Sequence, residues 1–300
     1  MTFNDAEVVE RSLQALLDQT YPVEEVLIVD NGSTDGTVNR CFPKKATVIR
    51  HNENRGPSGA VVAGFQYALD KGYDWIWVFD ADSAPRTDAL EKLLHLYKQF
   101  SPEVQLQTRL LASLPLDCKD GRPYHGLVFS ASGLNAVKPV SDQGYYELDA
   151  TMWTGCLFKL AAVEQIGFPY ADYFVDGDDY EYGYRGKCCG YKAFMLQDSI
   201  VDHNIGGQPS MGVTIYHFGS LSFKMIELPP IRCYYVARNT VYFWLYEYKH
   251  RNLRLELRIG YMLSRFIINF VLRPASRWPQ VRACYRGLCD GFFKNMHHRY

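Results

Sequence analysis

The sequence predicts an α/β protein: a mostly parallel, Rossmann-like sheet flanked by helices, followed by a helical carboxyl-terminal extension. Three observations carry this. Short apolar runs at Glu25–Asp30 (EVLIVD), Ala46–Arg50 and Asp74–Asp82 (DWIWVFDAD) alternate with segments of helical period, the rhythm of strand–helix units. The runs have few polar breaks, as strands covered on both faces do. They end in polar or acidic loops, at the rim where open α/β sheets bind ligands.

The elements follow in order. Thr2-Phe3-Asn4 reads as the end of a first strand whose body is missing. Asn4 and Glu7 form a capping-box-like pair before a helix carrying Val8, Val9, Leu13, Leu16 and Leu17. After the strand Glu25–Asp30 comes the polar loop Asp30–Thr37, read as a strand-to-helix connection. Ala46–Arg50 is a third strand, and Asn54-Arg55-Gly56 opens a helix through Val61, Phe65, Ala68 and Leu69. Small residues at Gly56, Gly59, Ala60 and Gly64 permit close approach, either of an anion to free N–H groups or of the helix to the sheet. Asp74–Asp82 is the central strand, and Thr87 caps a helix bearing Leu90, Leu93, Leu94 and Tyr97. Residues 101–150 carry many turn signals and read as a second sheet with loops over the active face. Trp153–Phe158 is strand-like, Leu160–Ile166 is a short helix ended by Gly167, and an acidic helix runs to Gly190. From Pro230 the chain is helical. The division expected is 1–228 as the main domain, with halves 1–100 and 101–228, and 229–300 as the extension.

Composition places the chain among ordinary globular proteins, 47% hydrophobic and 22% charged over 300 residues. Its charge is uneven. Leu228–Tyr300 holds 13 Lys and Arg against 3 Asp and Glu, leaving 19 against 30 elsewhere. A basic tail on an acidic body suggests peripheral contact with the anionic inner membrane surface or a lipid diphosphate, with a solvated helix face as the alternative. Leu253–Leu272, mixing Arg with apolar residues at helical spacing, would lie at such an interface or pack on a core with snorkelling arginines. Nucleic acid is not expected as a partner. Eight cysteines show neither metal spacing nor a disulfide framework, and no leader is visible, so a cytoplasmic location with reduced thiols is expected.

The chemistry-bearing residues are acidic. Asp80 and Asp82 stand at i and i+2 past an apolar run, and carboxylate oxygens suit Mg2+ or Mn2+; a solvated turn is the alternative. An EF-hand is excluded, because Ala84 and Pro85 replace the ligand and glycine its loop needs. Asp176, Asp178, Asp179 and Glu181 crowd a helix start beside aromatics. The helix dipole explains one or two of them, and the crowding suits a general base. His203 lies in a polar, glycine-rich loop, where imidazole can join carboxylates around Mn2+. His217, between aromatics, is read as structural.

Together these motifs resemble the family 2 inverting glycosyltransferases of the GT-A fold, most nearly their bacterial galactofuranosyl- and rhamnosyltransferase-like branch. The resemblance rests on Thr2-Phe3-Asn4, Gln19–Pro22 (QTYP), Val29–Thr37 (VDNGSTDGT), Asn54-Arg55-Gly56, the Asp80/Asp82 pair, Thr154-Gly155, Asp178–Tyr182, His203-x-x-Gly206 and Arg238-Asn239. It implies a metal-dependent enzyme moving a sugar from a nucleoside-diphosphate donor, of UDP-galactofuranose or dTDP-rhamnose type, to a glycan or lipid-linked glycan. It further implies donor contacts at Thr2, Asn4, Asp30, Asn31, Ser33, Asn54, Arg55, Gly56, Asp80 and Ala81. A divalent metal (Mn2+ or Mg2+) would sit on Asp80, Asp82 and His203, with Asp179 as base beside Asp178. Trp153, Thr154, Gly155, Glu181 and Arg238 would line the sugar or acceptor pocket. One departure stands out: the family's first strand is nearly absent. Either the start codon is misassigned, the chain has been trimmed, or nucleotide binding is impaired. The competing functions are a nucleotidyltransferase, for which the expected basic glycine-rich loop is missing, and a non-catalytic nucleotide-sugar-binding protein.

Overall fold

The computed structural model describes residues 1–39, 46–130, 133–137, 143–204, 213–218, 221–226, 228–249, 278–297 and 300. It divides into two units. The first comprises Met1–Phe129, Leu134–Phe174 and Asp178–Ile205; the second comprises Ser130–Gly133, Val175–Gly177 and Gly206–Tyr300.

The α/β class and the flanking helices are as read from the sequence. In the first unit, α1 (Val9–Leu17) leads to β1 (Val26–Asp30), which pairs in parallel with β2 (Ala46–Arg50). Helix α2 (Gly56–Asp70) follows, then β3 (Trp75–Val78), β4 (Ser83–Pro85), α3 (Ala89–Gln99), α4 (Pro102–Gln107) and β5 (Thr108–Asp117). The short strands β6 (Leu127–Ser130), β7 (Gly133–Ala136) and β8 (Tyr145–Leu148) precede β9 (Cys156–Lys159), α5 (Leu160–Ile166), α6 (Asp178–Cys188) and β10 (Lys192–His203). The main sheet runs β3-β9-β5-β10-β4, with β8 also on β10.

Strand direction in that sheet is mixed. Strands β5 and β10 are parallel, whereas β3–β9, β5–β9, β10–β4 and β10–β8 are antiparallel. Asp74–Asp82 therefore does not supply the centre: β3 lies at the end of the sheet's order. The centre is β5, buried along nearly its whole length, within the stretch read as a second, separate sheet with loops. Its apolar run is broken by Arg109, Ser113 and Pro115, which hid it. Ser113 is satisfied across the sheet by Ser199 of β10 (2.8 Å), a partner 86 residues away.

Neither predicted side-chain cap forms. Helix α1 begins at Val9 without a side-chain cap. Asn4, at φ 58°, instead reaches the loop after β1: its N–H donates to Ser33 Oγ (2.9 Å) and its Oδ1 accepts from Thr34 N–H (2.9 Å). Thr87 does not cap α3. Gln19 does so from another segment, its Oε1 accepting from Leu90 N–H (3.1 Å) while its amide donates to Arg86 O (2.9 Å). Gly167 ends α5 at φ 83°, as the sequence indicated.

In the second unit, β11 (Val213–Phe218) and β12 (Leu221–Ile226) form an antiparallel pair, and α7 (Pro230–Tyr242) packs with α8 (Trp278–Phe292). Arg238 is buried there, its guanidinium donating to Asn239 Oδ1 (3.0 and 2.9 Å) and Met296 O (2.9 Å). Gly206 and the Leu253–Leu272 stretch lie outside the described residues, and so do the side-chain surroundings of His217.

Candidate functional site

The acidic pair sits where the strands end. β3 stops at Val78, and the Asp80 backbone N–H donates to Thr154 Oγ1 (2.9 Å), whose hydroxyl in turn donates to Asp80 Oδ2 (3.0 Å). Asp82 directly precedes β4, which pairs antiparallel with the end of β10 and sets Ser83 opposite His203. That register places the imidazole on the acids: His203 Nδ1 is 3.3 Å from Asp82 Oδ1 and 2.7 Å from Ser83 Oγ. Ser83 Oγ also lies 3.0 Å from Thr154 Oγ1. A chain of hydroxyls thus joins His203 to Asp80.

One ligand atom from each of Asp80, Asp82 and His203 falls within a 4.8 Å group. Two carboxylates and one imidazole are a donor set suited to Mn2+, so these residues fit a divalent cation. Burial alone would lower the His203 pKa, but the hydrogen bond and charge of Asp82, helped by Asp80 and Asp117, raise it. Burial likewise raises the Asp80 carboxyl, with Asp82 adding to the rise and His203 and Thr154 opposing it. Such mutually stressed groups are what a cation would relieve.

The loop after β1 makes a second polar cluster. Asp30 is fully buried, accepting from Ser33 N–H (3.2 Å) and paired with Arg50 (3.4 Å). Asn31 donates from Nδ2 to Gly56 O (3.1 Å), and His51 Nδ1 lies 3.0 Å from Asn31 Oδ1. Burial and the Arg55 charge lower the His51 pKa, favouring the neutral ring. Asn54 Oδ1 accepts from Gly56 N–H (2.8 Å), while Arg55 is exposed. Gly56 has φ +68°, and a Cβ there would lie 2.1 Å from Phe174 O; only glycine fits. Thr2 bridges this cluster in parallel, accepting from Asn31 N–H (2.9 Å).

The acids opening α6 separate into distinct environments. Asp178 is buried, its Oδ2 accepting from Trp153 Nε1 (2.7 Å) and Ser58 Oγ (2.9 Å). Glu181 is fully buried and paired with Arg185 (2.6 Å), which lies over the Tyr170 ring at 4.1 Å. Asp176 belongs to the second unit and pairs with Arg232. Asp179 is half-buried, its Oδ1 accepting from Tyr180 N–H (2.7 Å). Burial raises the Cys156 thiol pKa; Arg109 opposes this, and the charges of Asp179 and Asp80 add to it. Gly155 ties the neighbourhood together, its N–H donating to Val78 O (2.9 Å) and its O accepting from Ser113 N–H (3.0 Å).

Ser83, Ser58 and His51 were not singled out in the sequence. Each is adjacent to a motif that was: Ser83 follows Asp82, Ser58 lies in the first turn of α2, and His51 follows β2.

An α/β sheet with a cation-competent Asp-Asp-His group at its strand ends fits the GT-A fold. Residues 1–114 match the family model "Glycosyl transferase family 2". Galactofuranosyltransferase GlfT1 of Mycolicibacterium smegmatis is 29% identical over 193 residues, 60% of this chain and 61% of that one. The same-named protein of Mycobacterium tuberculosis is 27% identical over 57% of each chain. The undecaprenyl-phosphate mannosyltransferase of Micrococcus luteus is 34% identical over 98 residues, 31% of this chain and 40% of that one. These matches span less than two thirds of each relative. Among solved structures, S. aureus TarS 1-349 in complex with UDP-GlcNAc superposes with a TM-score of 0.59 at 16% identity, covering 98% of this chain and 80% of that one. GalNAc-T7 with UDP, GalNAc and Mn2+ gives 0.56 at 14% identity, over 85% and 52%. At these identities the likeness is one of fold.

Proposed function

We propose that the protein is a metal-dependent, inverting glycosyltransferase that moves a hexosyl unit from a nucleoside-diphosphate sugar to a hydroxyl of a glycan or lipid-linked glycan. The observation that carries this is the convergence of Asp80, Asp82 and His203 from β3, β4 and β10. The polar cluster of Asp30, Asn31, His51 and Gly56 supports the nucleotide end of the donor. Relatives whose names specify galactofuranosyl transfer favour a galactofuranose donor over rhamnose.

In this reading, Asp80, Asp82 and His203 would hold a divalent cation. A bound Mn2+ or Mg2+ supplies Lewis-acid neutralisation of the leaving diphosphate. The acceptor oxygen attacks the anomeric carbon as its bond to the diphosphate breaks, and the hydroxyl proton passes to an Asp179 carboxylate oxygen. A well-placed base contributes about 10²–10⁴-fold. Asp178, held by Trp153 and Ser58, positions the start of α6 rather than exchanging protons. Thr154 and Gly155 shape the sugar side of the cleft. Glu181, engaged by Arg185, supports α6 from behind, and Arg238 keeps a packing role in its own unit. The basic charge of residues 228–300 supports peripheral contact with a membrane carrying a lipid-linked acceptor; among the described residues no helix is long and apolar enough to cross one.

The test is direct. The protein is incubated with UDP- and dTDP-sugars and Mn2+, and released nucleoside diphosphate and glycosylated product are measured by mass spectrometry. Metal-dependent release with transfer to an added hydroxyl acceptor is expected. Release of pyrophosphate in place of a nucleoside diphosphate would identify a nucleotidyltransferase, and binding without turnover a non-catalytic protein.

A further inference from the structure

Polar side chains along one face of α7 meet a turn of backbone. Arg232 and Asn239 are about two helical turns apart and so share a face of α7. That face meets Val175–Gly177, which belongs to the same unit. Arg232 holds the Asp176 carboxylate with two nitrogens, Nε donating to Oδ2 (2.9 Å) and Nη2 to Oδ1, the planar fork that arginine offers and lysine does not. Asn239 is fully buried, and its Nδ2 donates to the Val175 carbonyl (2.9 Å) and the Asp176 carbonyl (2.8 Å). The guanidinium of Arg238 can only donate, so its two bonds to Asn239 Oδ1 fix which way that amide faces.

The turn needs holding. Phe174 stands at φ 64° and ψ −67°, Asp176 at φ 63° and Gly177 at φ 97°. Residues other than glycine adopt such backbone only where the surroundings impose it. Phe174 is fixed within the first unit, its carbonyl accepting from Ser58 N–H (3.3 Å) across the space that Gly56 leaves open. Asp176 is fixed within the second, at its side chain by Arg232 and at its carbonyl by Asn239. That carbonyl lies in the rigid peptide plane shared with Gly177, and Gly177 joins directly to Asp178, the first residue of α6. Rotation of the Asp176 backbone would therefore redirect the start of α6. Apolar side chains would fill the same space without burying polar groups; a fork and an amide aimed at carbonyls hold a direction.

We propose that Arg232 and Asn239 are positioning residues for the transfer reaction: through the Val175–Gly177 turn they set where the first turn of α6 presents its carboxylates. This rests on the reading that a carboxylate of that turn takes the acceptor proton, and not on which one does. Misplacing a reacting group by about 1 Å can cost about 10²-fold in rate.

Arg232→Ala and Asn239→Ala are compared with the wild type and with Asp179→Asn in three measurements: kcat for transfer, UDP affinity in the presence of Mn2+, and hydrogen exchange along α6. In both alanine variants kcat is expected to fall about 10–100-fold with UDP affinity unchanged. Exchange over residues 177–182 is expected to quicken about 10-fold or more while residues 184–188 keep their rate. Arg232→Lys, which keeps the charge and loses the fork, is expected to lose less, and it carries the test if Arg232→Ala does not fold. Unchanged kcat with unchanged exchange over 177–182 would overturn the inference even where Asp179→Asn abolishes transfer. Faster exchange along the whole of α6 together with weakened UDP binding would also overturn it, because the side chains would then be supporting the fold in general. If Asp179→Asn turns over normally while Arg232→Ala loses kcat with exchange quickened only over 177–182, the positioning role stands and the choice of base alone falls.

Discussion

Two adjacent carboxylates open α6, one buried and the other half-buried. Trp153 Nε1 at 2.7 Å and Ser58 Oγ at 2.9 Å donate to the same Asp178 oxygen, Oδ2. Hydrogen bonds to charged groups contribute about 1.5–3 kcal/mol each, and burying the abandoned donors carries a comparable penalty. Asp178→Ala is therefore expected to cost about 3–5 kcal/mol, a large share of the ~5–15 kcal/mol that holds a domain together. Asp178→Asn is milder. Its amide oxygen can occupy the Oδ2 position and keep both donors while charge assistance is lost, about 1–2 kcal/mol. Asp179 is half-buried, and Asp179→Asn is expected to change stability by about 1 kcal/mol or less, while transfer falls about 10²–10⁴-fold. Urea denaturation measures the first quantity and product formation under saturating donor the second. The reasoning is refuted if Asp179→Asn turns over normally while Asp178→Asn stays folded and loses transfer, because the proton would then go to the carboxylate assigned a structural part.

Further outcomes concern the cation cluster and its supports. Ser83→Ala and Thr154→Val should each weaken Mn2+ binding about 10–100-fold, since they remove the hydroxyls that orient His203 and Asp80; Thr154→Ser should restore it, and calorimetry on the purified protein reads all three. Mn2+ affinity should rise with pH. His203 has a raised pKa in the folded protein, so its charged pairing with Asp82 stabilises the metal-free protein below the ordinary histidine range and is lost as pH climbs through the raised value. Metal ligation needs the neutral ring, and affinity grows over that same interval; a flat pH profile of Mn2+ affinity from 5 to 9 would contradict this. Glu181→Ala should cost about 1–3 kcal/mol by leaving the half-buried Arg185 without its carboxylate, measurable by thermal melting. Gly56→Ala should destabilise the loop and weaken nucleotide binding together, because the added methyl would meet Phe174 O; unchanged UDP affinity with an unchanged melting temperature would show that the loop relaxes freely.

What the sequence determined by itself is local. Strands β1 and β2, helices α2 and α5 and the start of α7 are legible because an apolar run, a glycine or a proline acts on its own few residues. The acids at 80 and 82 and the histidine at 203 were legible as chemistry for the same reason: residue type limits what an atom can bind. Tertiary structure decided which of these groups meet. Pairing of β4 with β10 brings His203 onto Asp82 across 121 residues, and nothing near either residue announces it. Sheet order moved the centre from the apolar stretch at Trp75 to β5, whose serine and arginine look unsuited to a core until Ser199 bonds the one and the Asp149 carbonyl accepts from the other. The same is true of Gln19 capping α3 and of Asp178 and Asp179, neighbours in sequence that differ because one oxygen faces an indole and a hydroxyl. Burial and hydrogen-bond satisfaction are properties of the assembled chain, and they separate a structural carboxylate from one available for chemistry.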